Sequence, residues 1–494
     1  MWPVSRNRIT RASTTIERQP RASALVLRLP TVFRIHPAVD PAVDPSVRPA
    51  NSPRTKKMDL HQITRISSFS NLYSDRTLFP SGDRGYIQFE FGAPSPALLQ
   101  TASAIFQEAT ARKLSKPDAG LAFQYGPKLG DSEFRSELAR FLANEYGSPV
   151  EANHLAVTSG ASQSFSNLIT MFTTSATRIL IEDPTYFLAL RVLQDHGFQE
   201  RDFVSVPVES GGISLQILEE RLKELSSSVD QQAFAGQPAK KFPFLLFTIP
   251  DYSNPTGQSM PLDKRIRLIE LARKYDVLII CDDVYPLLGY PGAEPNPPRL
   301  IALEHQVRSE TDFGNVISNC SFSKIFAPGA RLGWVEASPA IIKRHETFWV
   351  LYSGGSPNHL TSGIMTEIIQ TGKLKTYIAQ LRETYSHNAE VTYETLRLHG
   401  EGLGMRIEKP KGGFFIWIEF PSHVNTHALY QQLKQKEAAG TSNTRVSFAP
   451  GLIFTTVQGR YLNCLRLSIA HYDAEELREG ARRLCRAVKE LLDI

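Results

Sequence analysis

The sequence predicts an α/β fold, with a mostly parallel central sheet flanked by helices and a smaller α+β domain at the C-terminal end. Two observations predict it. From about residue 85, short and nearly continuous apolar runs alternate with helical stretches, whereas after about residue 345 apolar residues alternate with polar ones. Continuous apolar strands separated by helices are typical of parallel sheets covered on both faces, and alternating strands are typical of half-exposed ones.

Five apolar runs predict the strands of the central sheet, and the segment "PLDKRIRLIELARKY" (261–275) predicts an amphipathic helix with Ile266, Leu268 or Ile269, and Ala272 on its apolar face. In such sheets ligands bind beyond the carboxyl ends of the strands. The polar residues that follow the runs are therefore candidate site residues. The runs are "LAVTSG" (155–160), "RILIEDP" (178–184), "FPFLLFTIP" (242–250), "VLIICDD" (277–283) and "VISNCSF" (316–322).

The segments "GGFFIWIEF" (412–420) and "LRLSIA" (465–470) alternate as half-exposed strands would, with helical stretches around them. The expected division is an N-terminal arm of the smaller domain at 58–100, a large domain at 101–345 and a small domain at 346–494. The large domain would hold the ligand, because it contains the five apolar strands.

Residues 1–57 differ from the rest, because they are rich in Arg, Ser, Thr and Pro and lack sustained periodicity. They contain eleven Lys and Arg against three acidic residues, so this segment contributes +8 to the net charge of +5 and the remainder carries −3. We predict a disordered basic extension. The expected location is cytoplasmic, or mitochondrial if this Arg-rich segment is a transit peptide; a true start at Met58 is a further alternative.

The composition argues against several kinds of site and partner. The four cysteines are far apart and form no CxxC pair, which argues against a zinc site and a disulfide framework. No run of 18 apolar residues predicts a membrane span. The basic balance comes from residues 1–57, so it does not indicate nucleic-acid binding by the folded part. We expect no metal, nucleic-acid or membrane partner.

Three motifs at strand ends allow both a ligand-binding and an ordinary interpretation. "TSGASQ" (158–163) begins a helix, whose free N–H groups suit a phosphate, although a Ser or Thr N-cap would explain the same letters. "DYSNPTG" (251–257) has residues that are typical of a tight turn, or it presents an Asn side chain to a ligand oxygen. "CDDVY" (281–285) places paired carboxylates at the ligand edge, or only in a solvent-facing loop.

The fourth motif, "CSFSKIFAPGARLGW" (320–334), places Lys324 after an apolar strand. Burial there would disfavour the ammonium form, and a neutral amine is a nucleophile that forms Schiff bases. Ser321, Ser323 and Arg331 are phosphate-binding side chains on the same loop. An amine beside phosphate binders indicates a phosphorylated aldehyde as the ligand.

The motifs "SNPTG", "DDVY" and "SFSKIFAPGARLGW", in that order, resemble the class I/II aminotransferases, which are pyridoxal-phosphate (PLP) enzymes of fold type I. Within them, "SFSK" with "PGxRLG" is similar to the 2-aminoadipate, aromatic and kynurenine aminotransferases. The resemblance covers about residues 85–490. It implies a homodimer that binds pyridoxal 5'-phosphate and moves an amino group from an L-amino acid to a 2-oxo acid.

The resemblance also implies residue roles. Lys324 would form the internal aldimine and then act as the general base. Asp282 would pair with the pyridine nitrogen, with Asp283 a neighbour without that role. Asn254 and Tyr285 would hydrogen-bond the ring hydroxyl.

Further roles concern the substrate, the ring face and the phosphate. Arg466 would clamp the substrate carboxylate with Gly92 beside it, Tyr186 would stack on the ring, and Tyr125 would reach the phosphate of the other subunit. Without the resemblance, Tyr186 and Tyr125 would pass for core or turn residues, and Arg466 for a surface salt bridge. The implied phosphate-binding residues are Gly160, Ala161, Ser162, Ser321, Ser323 and Arg331.

The sequence leaves several points open. Ala161 stands where relatives often have Ser or Thr, so Ser162 or Gln163 would have to compensate. A C–S lyase or other PLP lyase would use the same site, and a DNA-binding regulator would need a helix-turn-helix that the N-terminal segment lacks. No second arginine is identifiable for a distal carboxylate, and aromatics such as Phe123 and Phe454 are compatible with large apolar side chains.

Overall fold

The structure is a computed structural model that describes residues 85–440 and 444–493. The extension predicted for residues 1–57, and residues 58–84 of the predicted arm, lie outside the described residues. None of the helices in this part of the chain combines the length and apolarity that crossing a membrane requires.

Helices and strands alternate along most of the described chain. The helices are α1 (Pro96–Leu114), α2 (Ser132–Tyr146), α3 (Ala161–Phe172), α4 (Phe187–Asp195), α5 (Leu215–Ser226), α6 (Leu262–Tyr275), α7 (Leu300–Val307), α8 (Pro339–Glu346), α9 (Trp349–Gly354), α10 (His359–Gln370), α11 (Lys373–His399), α12 (Thr426–Ala438) and α13 (Ala474–Leu492). The strands are β1 (Ile87–Gln88), β2 (Leu155–Thr158), β3 (Arg178–Asp183), β4 (Phe203–Glu209), β5 (Gly212–Ile213), β6 (Phe244–Thr248), β7 (Val277–Asp282), β8 (Val316–Ser321), β9 (Gly333–Ala337), β10 (Arg406–Ile407), β11 (Phe415–Glu419), β12 (Val446–Ser447), β13 (Ala449–Pro450) and β14 (Cys464–Ser468).

The predicted mostly parallel sheet is confirmed. Eight strands lie in the order β2-β9-β8-β7-β6-β3-β4-β5, and the neighbours from β8 to β4 are all parallel. Because β9 is antiparallel to both β8 and β2, β2 runs in the same direction as β8. The carboxyl ends of the five predicted strands β2, β3, β6, β7 and β8 therefore meet at one edge.

Helices cover both faces of this sheet. Successive residues of one strand enter different apolar clusters: Leu245 packs in one cluster, whereas Leu246 packs in the other. This explains the unbroken apolar runs, since both faces of each strand are buried. On α6, the residues Leu268, Ile269 and Ala272 are buried as predicted, but Ile266 is 46% exposed and belongs to the solvent face.

The second sheet is antiparallel, in the order β10-β11-β14-β13, and β1 pairs with β12 in a separate parallel pair. The half-exposed character expected for its strands is wrong for β14, whose five residues are all buried. Its polar residues are buried because they face other elements instead of solvent. The division at 58–100, 101–345 and 346–494 stays a prediction.

Candidate functional site

A cavity of about 390 Å³ lies at the carboxyl edge of the central sheet and is also lined by residues of β11 and β14. Most of the predicted site residues line it, although they are far apart in the sequence. Those residues are Gly92, Ala161, Ser162, Tyr186, Asn254, Asp282, Tyr285, Ser321, Ser323, Lys324, Arg331 and Arg466.

Lys324 lies in the loop that follows β8, and its Nζ donates a hydrogen bond to the carbonyl oxygen of Gly92 at 2.7 Å. The pKa of Lys324 is lowered to about 8, mainly by burial; the charge of Asp282 opposes this shift, and the charges of Arg466 and Arg331 contribute to it. At pH 7 about one tenth of such amines are neutral, compared with roughly one in 3,000 for an ordinary lysine. The lysine is therefore suited to nucleophilic attack on a carbonyl.

Asp282, the last residue of β7, and Asp283, which follows it, have different surroundings. Asp282 faces the cavity, and its side chain makes no hydrogen bond or close ion pair with any described residue. Burial raises the pKa of Asp282 to about 7, with a further contribution from Asp283. Asp283 is buried away from the cavity and accepts a hydrogen bond from the Ser318 hydroxyl. Of the two carboxylates, Asp282 lines the cavity and Asp283 does not, and the role of Asp282 at a ring nitrogen stays a prediction.

Arg466, on β14, is 3% exposed, so the interpretation as a surface salt bridge is wrong. Its Nη1 donates to Asn254 Oδ1 at 2.8 Å and its Nη2 donates to the carbonyl oxygen of Glu90, while its Nε has no partner among the described residues. The guanidinium lies 4.2 Å from the ring centre of Phe415. Burial lowers the pKa of Arg466 to about 10. A buried cation without an acidic partner suits a ligand carboxylate.

A polar cradle forms where α3 begins. The helix has Gly160 at its N-cap, without a side-chain cap, so the Ser or Thr cap considered above is absent. A Cβ atom at Gly160 would lie 3.1 Å from Arg331 Nη2 and 3.4 Å from Ser321 Oγ, and φ there is +89°. Ser162 lines the cavity and Gln163 does not. This cradle suits a phosphate, because it offers free helix N–H groups, hydroxyls and a guanidinium. A side chain at position 160 would fill the space that the phosphate needs.

Two tyrosines line the same cavity. Tyr285 is buried between Phe414 and Phe415, with ring centres 5.6 and 5.9 Å away, and burial raises its pKa well above the usual range. Its hydroxyl therefore stays protonated and is available as a donor. Tyr186 is half-buried immediately before α4.

Tyr125 is not at the cavity. Its side chain is 78% exposed, next to Gly354 at the end of α9. Within one chain the structure therefore does not bring it together with the other predicted residues. A role at the phosphate would require a second subunit.

The sequence reasoning missed several residues that line the cavity. Glu90 and Phe415 contact Arg466, and Asn319 lies on β8 beside the predicted motif. Asn319 precedes Ser321 by two residues, and strand periodicity alone would have placed it on the same face. Glu90 contributes its main-chain oxygen, for which the sequence has no side-chain signal.

The donor set suits a phosphorylated aldehyde with a basic ring nitrogen. It offers a partly neutral amine for the carbonyl, an unpaired carboxylate for a protonated nitrogen, and a phosphate cradle that a Cβ would fill. Arg466 is then available to bind the carboxylate of a second ligand that lies beside the aldehyde. The residues present therefore fit PLP with an amino acid beside it.

Comparisons with known proteins agree with this chemistry. The family model of the class I and II aminotransferases matches residues 87–484. An aromatic-amino-acid aminotransferase of Thermococcus litoralis is 30% identical over 399 residues, which cover 81% of this chain and 87% of the relative.

Two solved structures show the same fold. A Pyrococcus horikoshii kynurenine aminotransferase shares 26% identity and a TM-score of 0.71, covering 90% of this chain and 97% of that one. The α-aminoadipate aminotransferase LysN of Thermus thermophilus, complexed with N-(5'-phosphopyridoxyl)-L-leucine, shares 27% identity and a TM-score of 0.68, covering 83% of this chain and 94% of that one.

The phosphopyridoxyl group of that complex and the matched family agree with the donor set of the cavity, and the cofactor is pyridoxal phosphate. The enzyme is a transaminase of fold type I. By the extent of the family match, which takes in both sheets and the whole cavity, this chain belongs to the class I and II aminotransferases.

Proposed function

We propose that the enzyme transfers the amino group of an L-amino acid with a large aromatic or apolar side chain to a 2-oxo acid. One observation carries the proposal. An amine of lowered pKa, an unpaired carboxylate and a buried guanidinium without an acidic partner all face one cavity.

The cofactor would be held by side chains of the central sheet. Lys324 would bind its carbonyl carbon covalently, Asp282 its ring nitrogen, and Asn254 and Tyr285 its ring hydroxyl, with Tyr186 against the ring face. When bound, pyridoxal phosphate takes up the electron pair released at the substrate Cα. The phosphate would bind to Gly160, Ala161, Ser162, Ser321, Ser323 and Arg331.

Side chains and main-chain groups of the protein perform the remaining steps. Arg466 binds the substrate carboxylate and fixes the direction of the Cα–H bond. Lys324, once released by the incoming amino group, accepts the Cα proton, because its lowered pKa makes it a base near neutral pH. Asp282, as a carboxylate, keeps a proton on the ring nitrogen. Gly92 presents its carbonyl oxygen to Lys324 and leaves room for the substrate.

The residues that line the cavity support the proposed preference for substrates with aromatic or large apolar side chains. Phe91, Phe187 and Phe415 contribute aromatic surface to the lining. The cations among the described lining residues are Lys324, Arg331 and Arg466, and each has a proposed role already. No lining cation in the described ranges is left for a second carboxylate, so we favour aromatic and large apolar donors over 2-aminoadipate.

A homodimer would complete the site. Six exposed apolar residues, here called the aromatic face, belong to the segment before α2 and to α9: Leu121, Phe123, Tyr125, Trp349, Val350 and Tyr352. The two segments are adjacent, because a Cβ at Gly354 would lie 3.4 Å from the Tyr125 ring. A contiguous aromatic surface indicates a protein interface. A second copy is the proposed occupant, since it would deliver Tyr125 to a phosphate cradle.

The double variant F123S/W349S tests the dimer. We expect a monomer in light scattering and weaker PLP binding, with a lower melting temperature that no longer depends on protein concentration, because association stabilises the folded chain by mass action. A dimer that persists in this variant would contradict the assigned interface. The exchange L398S, at an exposed leucine outside the aromatic face, is the matched control.

The proposed compartment is the cytoplasm, with the mitochondrion as the alternative if residues 1–57 act as a targeting segment. A fluorescent fusion of the full chain, compared with one that starts at Met58, distinguishes the two locations. Import that depends on residues 1–57 would favour the mitochondrion.

An absorbance-monitored screen of amino acids tests the proposed reaction. Aromatic and large apolar amino acids should convert the bound cofactor to its pyridoxamine form, and a 2-oxo acid should reverse the change. The variant K324A should lose borohydride labelling and at least about 10⁴-fold in activity. K343A, at an exposed lysine, should retain both. Release of ammonia without an amino acceptor would instead identify a lyase.

A further inference from the structure

Asn319 is a buried polar residue of the cavity lining to which the proposed function gives no role. It lies on β8 directly opposite Asp282 in the parallel register of β7 and β8. It is 1% exposed and lines the cavity. Register partners of neighbouring parallel strands project from the same sheet face, so the two side chains are neighbours.

The two halves of the Asn319 amide have different surroundings. Its Nδ2 donates a hydrogen bond of 2.9 Å to the carbonyl oxygen of Ala161, the first residue of α3. Its Oδ1 is buried and has no hydrogen-bond partner among the described residues. A buried acceptor without a donor is costly, so its presence needs an explanation. Packing alone would be served better by leucine.

A ligand, a water molecule or a protonated Asp282 can supply the donor that Oδ1 lacks. The phosphate and ring oxygen of pyridoxal phosphate are acceptors, and its protonated ring nitrogen is a donor. Asp282 is the proposed partner of that nitrogen. An amide oxygen next to Asp282 would add a second acceptor for the same proton without adding a second negative charge.

We propose that Asn319 is a cofactor-site residue with two contacts, its amide nitrogen holding the first turn of the phosphate-binding helix α3 and its amide oxygen accepting from the protonated ring nitrogen beside Asp282. The inference rests on the proposed function, because the donor is the cofactor. It links the two ends of the cofactor through a single side chain. It also explains why a polar residue occupies this strand position.

The test compares variants of the full-length chain by their affinity for PLP, measured through quenching of protein fluorescence in the apo-protein. N319L keeps the approximate volume and removes both contacts, and we expect a Kd about tenfold higher. N319A should show a similar loss. The matched control is N388L: Asn388 is also buried but donates only to the carbonyls of Ile469 and Tyr472, so its PLP affinity should not change.

The variant N319D tests whether position 319 is close enough to Asp282 and the ring nitrogen to act on them electrostatically. A carboxylate at position 319 would raise the pKa of Asp282 by repulsion. The pH at which the absorbance of the bound cofactor changes should therefore rise relative to the unmodified enzyme. In N388L this transition should stay in place even if the melting temperature falls.

An unchanged Kd in N319L, or in N319A if N319L does not fold, would overturn the role of Asn319. So would a loss of apo-protein stability without a change in affinity or in the spectral pH profile. Failure of the unmodified chain to bind PLP at all would overturn the proposed function itself, which separates the two outcomes.

Discussion

Two buried arginines in neighbouring regions of the molecule illustrate how a structural charge differs from a functional one. Arg265, on α6, is fully buried below the loop that follows β6, and it forms an ion pair with Asp251. Its guanidinium also donates to the carbonyl oxygens of Met260 and Pro298. Arg466 is equally buried but has only an amide oxygen and a main-chain carbonyl as acceptors, with Nε unpaired.

The difference extends to the other charges of the two regions. In the part of the chain that the structure describes, Asp282, Lys324 and Arg466 form no ion pair within 4 Å. Outside the cavity lining, Asp251 pairs with Arg265, and Arg299 pairs with Glu336 at 2.7 Å. A buried charge left unpaired lowers stability, and such charges cluster where a ligand will neutralise them. The two buried ion pairs stabilise the fold.

Exchanging each arginine for methionine should separate the two roles most strongly. R466M removes two charge-assisted bonds to the substrate carboxylate, at about 2 kcal/mol each, so kcat/KM should fall about 10³-fold. The apo-protein should melt at an unchanged or higher temperature, because a buried unpaired cation is lost. Steady-state kinetics and calorimetry measure the two effects.

R265M should do the opposite. It leaves Asp251 buried and uncompensated, so the free energy of unfolding should fall by about 3–5 kcal/mol while kcat/KM per folded molecule is retained. The double variant D251N/R265M should recover part of the stability. If R466M destabilised the apo-protein as much as R265M does, the contrast between the two regions would be false.

The adjacent carboxylates of β7 make a second, smaller test. D282N removes the negative charge from the ring nitrogen, and kcat/KM should fall about 10²-fold or more, because electrostatic contacts of this kind contribute that much. D283N removes a carboxylate that contacts Ser318 instead of the cavity. It should lower the melting temperature and change kcat/KM less than threefold. Equal losses of activity would contradict the assignment of Asp282.

The smallest effect concerns pH. The pKa of Lys324 is about 8, below that of an ordinary lysine, and only the neutral amine attacks a carbonyl. The rate of covalent PLP capture should rise about tenfold from pH 6 to pH 7 and level off above about pH 8. Stopped-flow absorbance measures this rate, with K324A as the blank. A rate that keeps rising about tenfold per pH unit up to about pH 10 would show that the amine titrates as an ordinary lysine and is not desolvated in solution.

The sequence by itself predicted the mostly parallel character of the central sheet, five of its eight strands and most of the residues that line the cavity. The five predicted apolar runs became β2, β3, β6, β7 and β8, because strands buried on both faces need apolar residues at every position. Turn and hydroxyl residues at their ends marked the ligand edge. The order of the motifs, through the family that it resembles, singled out Lys324, Asp282, Asn254 and Arg331 as candidates, and all four line the cavity.

Strands without a continuous apolar signal were missed. β4 is half-exposed along much of its length, and β9 follows the lysine loop so closely that its apolar residues merged with that motif. The face of α6 was also misjudged at Ile266, since periodicity gives the direction of a face but not its width.

Tertiary structure alone decided which charges are paired and which are not. Asp282 and Asp283 are adjacent in the sequence, but successive side chains along a strand point to opposite faces of the sheet. Asp282 therefore faces the cavity, whereas Asp283 contacts Ser318. The missing partner of Arg466 and the unpaired oxygen of Asn319 likewise depend on neighbours that are far away in the chain. The local sequence specifies where a strand ends. The contacts of a side chain depend on which strands pack next to it, and these contacts determine its protonation state and its function.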